Sequence, residues 1–138
     1  MAYAQPTEDE LRSIYLNAKV IATVGASADE SKPSHGIPVY LKNQGFQVVP
    51  VNPRAEQIFG VKAYPRLEDV PVAVDVVQVF RPVEEAPGIA RSAVAIGAKV
   101  LWLQEGLYSD EAADIALDAG LTVVMDHCMR VVHRVLFG

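Results

Sequence analysis

The chain has 138 residues, of which 51% are hydrophobic and 21% charged, the balance of a packed domain and not of a disordered segment. That length suits one domain burying roughly two thirds of the surface its unfolded form exposes, and leaves no room for a second. The formal net charge of -5 excludes a general basic field for nucleic acid or an anionic membrane, so an anionic ligand must be held locally.

The single cysteine, Cys128, rules out an internal disulfide and a cysteine-based zinc site within one chain. Residues 1–10 carry neither a basic nor an apolar leader region, and no run approaches the roughly 18 apolar residues of a membrane span. A cytoplasmic protein without nucleic-acid or membrane partners is expected. One domain over residues 1–138 is expected too, with residues 1–18 forming a helix packed upon it.

In chain order, Thr7 and Glu10 stand three apart, the capping-box pattern for a helix to about residue 17, with Leu11, Ile14 and Tyr15 as its apolar stripe. Five apolar, largely β-branched runs follow, over residues 19–24, 47–51, 75–80, 99–103 and 122–126. Their lack of alternation fits strands buried on both faces of a parallel sheet. Helices are predicted over residues 34–44, 82–96 and 109–119, and His133 falls on a last helix. Glu84 and Glu85 suit a helix start, Ser109 can cap, and Gly120 can follow a last turn. The broken stretch from residue 60 to 71 predicts a short edge strand near Val61 and a turn around Leu67. Alternating strands and helices specify an α/β, Rossmann-like, doubly wound and mostly parallel sheet of five main strands with helices on both faces. Its ligand crevice lies at the carboxyl ends of the strands.

Five strand ends bring candidate chemistry to that edge. Gly25-Ala26-Ser27 closes the first strand, and Ser34 and His35 open the next helix, a place where backbone amides can bind phosphate. The pattern departs from the dinucleotide fingerprint because Ser27 stands where a second glycine would be. Gly25 reads equally as a plain turn glycine. Asn52-Pro53-Arg54 ends the second strand where an NAD-binding domain commonly has a carboxylate. An amide and a cation there suit a phosphorylated ribose, although spacing alone favours a solvated arginine. Phe80-Arg81-Pro82 and Gln104-Glu105 follow the third and fourth strands. Arg81 suits a pyrophosphate or carboxylate and Glu105 an acid or base, while each alone reads more readily as a cap or loop ion pair. Cys128 follows Asp126-His127, and an inert buried thiol is favoured over a nucleophile. No catalytic residue is assigned, and no metal site is expected.

Together Val24-Gly25-Ala26-Ser27, Ser34-His35-Gly36, Val51-Asn52-Pro53, Gly60 with Tyr64-Pro65, Phe80-Arg81-Pro82, Gly97-Ala98-Lys99, Trp102-Leu103-Gln104-Glu105-Gly106 and Asp126-His127-Cys128 resemble the small CoA-binding proteins. That domain is similar to the N-terminal domain of the succinyl-CoA synthetase α subunit. The resemblance implies coenzyme A, or an acyl-CoA, across the carboxyl edge. Its phosphates would lie near residues 25–27 and its ribose and adenine near residues 52–54, with Arg81 and Pro82 along the middle. The synthetase's phosphohistidine belongs to a second domain that has no counterpart in this sequence, so the resemblance implies a sensing, carrier or partner-dependent module. An NADP-dependent or acyl-transfer enzyme using Glu105 or Cys128 is the alternative. A homo-oligomer and a protein partner both stay open.

Overall fold

A computed structural model describes residues 3–138. Helix α1 spans Glu8–Asn17 and its capping box is formed: the Glu10 amide donates to Thr7 Oγ1 and the Thr7 amide to Glu10 Oε1. Strands β1 (Val20–Val24) and β2 (Gln47–Val51) flank helix α2 (Pro33–Asn43). A hairpin of β3 (Gln57–Ile58) and β4 (Val61–Lys62) follows, then a 3-10 turn at Leu67–Asp69. Next come β5 (Val76–Val79), a second 3-10 turn (Val83–Glu85), α3 (Ala86–Ala95) and β6 (Val100–Leu103). The chain ends with α4 (Asp110–Asp118), β7 (Thr122–Val124) and α5 (Met129–Phe137).

The main sheet runs β2-β1-β5-β6-β7, and every pairing in it is parallel. This is the doubly wound α/β arrangement expected. Residues of α3 and α4 pack with Ala22, Val77, Leu101 and Val123 on one face. Residues of α1, α2 and α5 pack with Ile21, Val76, Trp102 and Val124 on the other. Burial on both faces explains why β5 and β6 show no alternation. The winding reverses between β1 and β5, and this switch point opens a crevice at their carboxyl ends.

Three expectations need correction. The strand near Val61 is not an edge strand of the main sheet: it pairs antiparallel with β3. Phe59 and Gly60 both have positive φ, 59° and 73°, as a two-residue type I′ hairpin turn requires. Beyond the hairpin, Tyr64 joins the sheet edge in an isolated bridge to Val51. The segment predicted as one helix from residue 82 is divided, because Pro87 sits in the first turn of α3, a position proline favours at a helix start but not within one. The fifth strand ends at Val124, since Asp126 turns into the left-handed region at φ 58°.

Candidate functional site

At the switch point lies a cleft of about 1110 Å³, just above the roughly 300–1,000 Å³ common for small-molecule and cofactor sites. Gly25, Ala26, Ser27, Ser34, Asn52, Pro53, Arg54, Phe80 and Arg81 all line it, so the ends of β1, β2 and β5 converge as expected. His35, Pro82, Gln104, Glu105 and Cys128 do not line it.

Gly25 is dictated by the fold. Its φ is +88°, and a Cβ there would stand 2.9 Å from Arg81 Cδ and 3.0 Å from the Phe80 carbonyl oxygen. The ends of β1 and β5 therefore meet across a bare backbone.

The loop's amides are largely committed. Gly25 N–H donates to the Val51 carbonyl at 3.1 Å and Ser27 N–H to the Ser34 carbonyl at 3.2 Å. That second bond follows from Pro38 inside α2: lacking an N–H, Pro38 leaves the Ser34 carbonyl without its usual i+4 donor. Ser27 takes the open acceptor and ties the loop to the helix. Ala26 N–H has no partner among the described residues, but Ala26 is only 1% exposed.

Donors remain on the first turn of α2. Its cap position is Lys32, which makes no side-chain capping bond; Pro33 has no N–H and the His35 and Gly36 amides both donate to the Lys32 carbonyl, so the backbone donor left open for want of a serine or aspartate cap is that of Ser34. Neither the amide nor the hydroxyl of Ser34 has a hydrogen-bond partner among the described residues. Lys32 and Arg54 line the same cleft and form no ion pair among the described residues. An anion there would meet two uncommitted cations and a helix N-terminus. The negative chain thus carries a local positive bank.

Several predicted residues position this bank. Asn52 donates from Nδ2 to the Ala26 carbonyl at 2.9 Å and accepts the Arg54 amide on Oδ1 at 2.7 Å. Both amide atoms are used, so Asn52 staples β2 to β1 and shapes the turn that presents Arg54. His35 Nδ1 bonds the Ser27 carbonyl at 2.7 Å, and the ring meets Phe59 edge-on. Asp29 accepts both the amide and hydroxyl of Ser31, and these bonds hold its carboxyl below the usual range. The loop over residues 27–32 is thereby tied to α2 and to its own turn.

Arg81 behaves differently. It pairs with Glu85 through two bonds, Nη2 to Oε2 at 2.6 Å and Nε to Oε1 at 3.1 Å. The same bonds hold the Glu85 carboxyl below the usual range. Both residues line the cleft.

The other candidates lie apart. Pro82 is exposed at the start of the 3-10 turn, Glu105 is exposed, and Cys128 is buried at 9% exposure at the cap of α5. Gln104 is buried, and neither atom of its amide has a partner. Lys32, Arg66, Glu68, Glu84, Glu85 and Ser92 also line the cleft without having been read as site residues from the sequence. Lys32 was legible, since a lysine directly before a helix-opening proline marks an uncapped first turn. Among the described residues no cluster of metal-ligating side chains occurs, and no helix is long and apolar enough to cross a membrane.

Known proteins of the same kind can be set beside this geometry. The chain is 36% identical over 130 residues to the uncharacterised protein YneT of Bacillus subtilis, covering 94% of this chain and 96% of that one. It is 32% identical over 107 residues to the ADP-forming acetate–CoA ligase II of Archaeoglobus fulgidus, covering 76% of this chain but only 16% of the ligase. A hypothetical protein of Pyrococcus horikoshii OT3 superposes over 100% of both chains with a TM-score of 0.94 and 35% identity. Residues 19–134 match the profile of the CoA binding domain, and the chain belongs to that CoA-binding family.

Proposed function

We propose that this chain binds coenzyme A, free or acylated, in the switch-point cleft and acts as a carrier, sensor or partner-dependent module without autonomous catalysis. The observation that carries the reading is the pair of cations, Lys32 and Arg54, that line the cleft and form no ion pair among the described residues, beside the open Ser34 amide in the first turn of α2. A polyanionic nucleotide is what such a bank suits. Ser34 would supply an amide and a hydroxyl to its phosphates. Arg54, presented by the Asn52-Pro53 turn, would meet the phosphate on the ribose. Gly25 and Phe80 would form the floor, with Arg81 beside the diphosphate and the rest of the molecule beyond it. Gly25, Ala26 and Ser27 shape the phosphate end more than they donate to it, because two of their three amides serve the fold.

Glu105 and Cys128 lie outside the cleft lining, which supports a binding role over the acyl-transfer alternative. The likeness to a segment amounting to 16% of an acetate–CoA ligase supports action with a partner that supplies the chemistry.

The test is titration calorimetry of the full chain and Arg54→Ala with coenzyme A, dephospho-CoA and NADP. The wild type should prefer coenzyme A. Losing the cation or the ribose phosphate should each weaken binding by up to about 1 kcal/mol for an exposed contact, and more where the ligand shields it. The second loss should be nearly silent once the first is made. Additive losses refute the Arg54 contact, and preference for NADP refutes the ligand class.

A further inference from the structure

The four arginine and lysine side chains that line the cleft are not equivalent. Lys32 and Arg54 form no ion pair among the described residues and Arg66 pairs with Asp69 at 3.8 Å, whereas Arg81 is held by both oxygens of Glu85, and Glu85 itself lines the cleft. The aliphatic stem of Arg81 lies over Gly25, which fixes the arginine at the meeting of β1 and β5. Glu85 closes the 3-10 turn that begins after Pro82, so the carboxylate returns to the arginine from four residues on. Both side chains are 47% exposed, enough for solvent or a ligand to reach either. An ion pair this exposed is weak and opens readily. A phosphate group offers the same guanidinium fork two oxygens and more charge than a carboxylate.

We propose that the Arg81–Glu85 pair is an internal latch: Glu85 occupies the anion-binding face of Arg81 until a ligand diphosphate displaces it. This rests on the coenzyme A reading and adds a selectivity rule to it. Dense anions that can replace a bidentate carboxylate gain Arg81, and weakly charged ligands do not. The latch also keeps Arg81 extended over Gly25 in the absence of ligand, so the guanidinium is ordered before exchange. Glu85 acts as a positioning and competing residue, not as a ligand to coenzyme A.

Apparent affinity falls by the fraction of molecules in which Arg81 is occupied. For an exposed pair, removing the competitor should tighten binding about two- to sixfold. The experiment titrates the full chain, Glu85→Gln, Arg81→Gln and the double variant with coenzyme A and, separately, with inorganic pyrophosphate. Circular dichroism and urea midpoints confirm that all four are folded. Glu85→Gln should tighten both ligands, and that gain should vanish when Arg81 is also replaced. An equal gain in the Arg81→Gln background overturns the latch, since it then reflects only the removal of a negative charge. Weaker binding by Glu85→Gln overturns it too, because Glu85 would then touch the ligand. No change in either direction means that Arg81 is not used. Should the wild type ignore coenzyme A yet show the pattern with pyrophosphate, the latch stands and the ligand assignment falls. If no protein of the four binds either probe, both fall.

Discussion

Replacing Gly25 by alanine separates backbone conformation from close approach, because Gly120 provides a matched control. Both glycines have φ +88°, so alanine meets the same left-handed strain at either, about 1–2 kcal/mol. At Gly120 nothing lies within 4 Å of the new Cβ. At Gly25 the Cβ stands 3.0 and 3.1 Å from the Phe80 carbonyl oxygen and carbon. These are backbone atoms in the strand-end pairing that continues into the Phe80 N–H to Val24 carbonyl bond. They cannot rotate away as a side chain can, and forcing such an overlap costs about 1–3 kcal/mol more.

Gly25→Ala should therefore lose about 2–5 kcal/mol and Gly120→Ala about 1–2 kcal/mol. At roughly 3 °C per kcal/mol for a domain of this size, the gap between them is several degrees in Tm. Urea unfolding with equal m-values is the assay. Equal losses at the two positions would refute the close-approach argument, leaving Gly25 an ordinary turn glycine. The expected loss also bears on ligand studies. A bulky residue at Gly25 damages the fold and the cleft together, so this position is poorly suited to testing phosphate contacts.

Two other outcomes follow from the same coordinates. Asn52→Ala removes the donor to the Ala26 carbonyl and the acceptor for the Arg54 amide, and should cost about 1–2 kcal/mol in urea unfolding with weaker coenzyme A binding; unchanged stability would mean that water replaces both bonds. Burial pushes the His133 imidazole below its ordinary pKa, and its Nδ1 is bonded to Tyr40 Oη at 2.8 Å. The neutral ring is thus favoured by the fold. Its contribution is complete above the unfolded value near pH 6.5 and is lost as pH falls through that value toward the lower folded one. His133→Gln should flatten the urea midpoint between about pH 5 and 7, and identical slopes for the two proteins would contradict the assignment.

The main elements were legible because their signals are local. A hydroxyl and a carboxylate three apart mark α1, and uninterrupted β-branched runs mark strands covered on both faces. Misreadings came where backbone pairing and proline spacing, not hydrophobic pattern, decide. Val61 pairs with Ile58 and not with the sheet, and an isolated Val-Lys pair does not announce which strand it joins. The first turn after β5 depends on Pro82 and Pro87 acting together. At the cleft, positions at strand ends were readable from topology. Whether a group stays available was not, because commitment of a donor depends on partners far along the chain. Asn52 stands at the predicted edge, yet its amide is spent on residue 26. Gln104 stands at another, yet its amide is buried.

That distinction explains how one crevice topology can serve with a different set of donors. A glycine-rich dinucleotide loop brings backbone amides to the diphosphate. Here Ser27 occupies the second glycine position, and its amide is drawn to Ser34 by the proline in α2. The amides of Gly25 and Ser27 are thereby withdrawn, while the α2 cap is a lysine whose side chain takes none of the helix's own donors. On the proposed reading, recognition passes from loop backbone to side-chain cations and the helix end. Backbone amides read an anion largely by shape, whereas cations at Lys32, Arg54 and Arg81 would read how much charge the ligand carries and where. The Glu85 carboxylate set against one of them makes physical sense in such a cleft: when side-chain charge does the recognising, a weak internal anion is the simplest way to set its threshold.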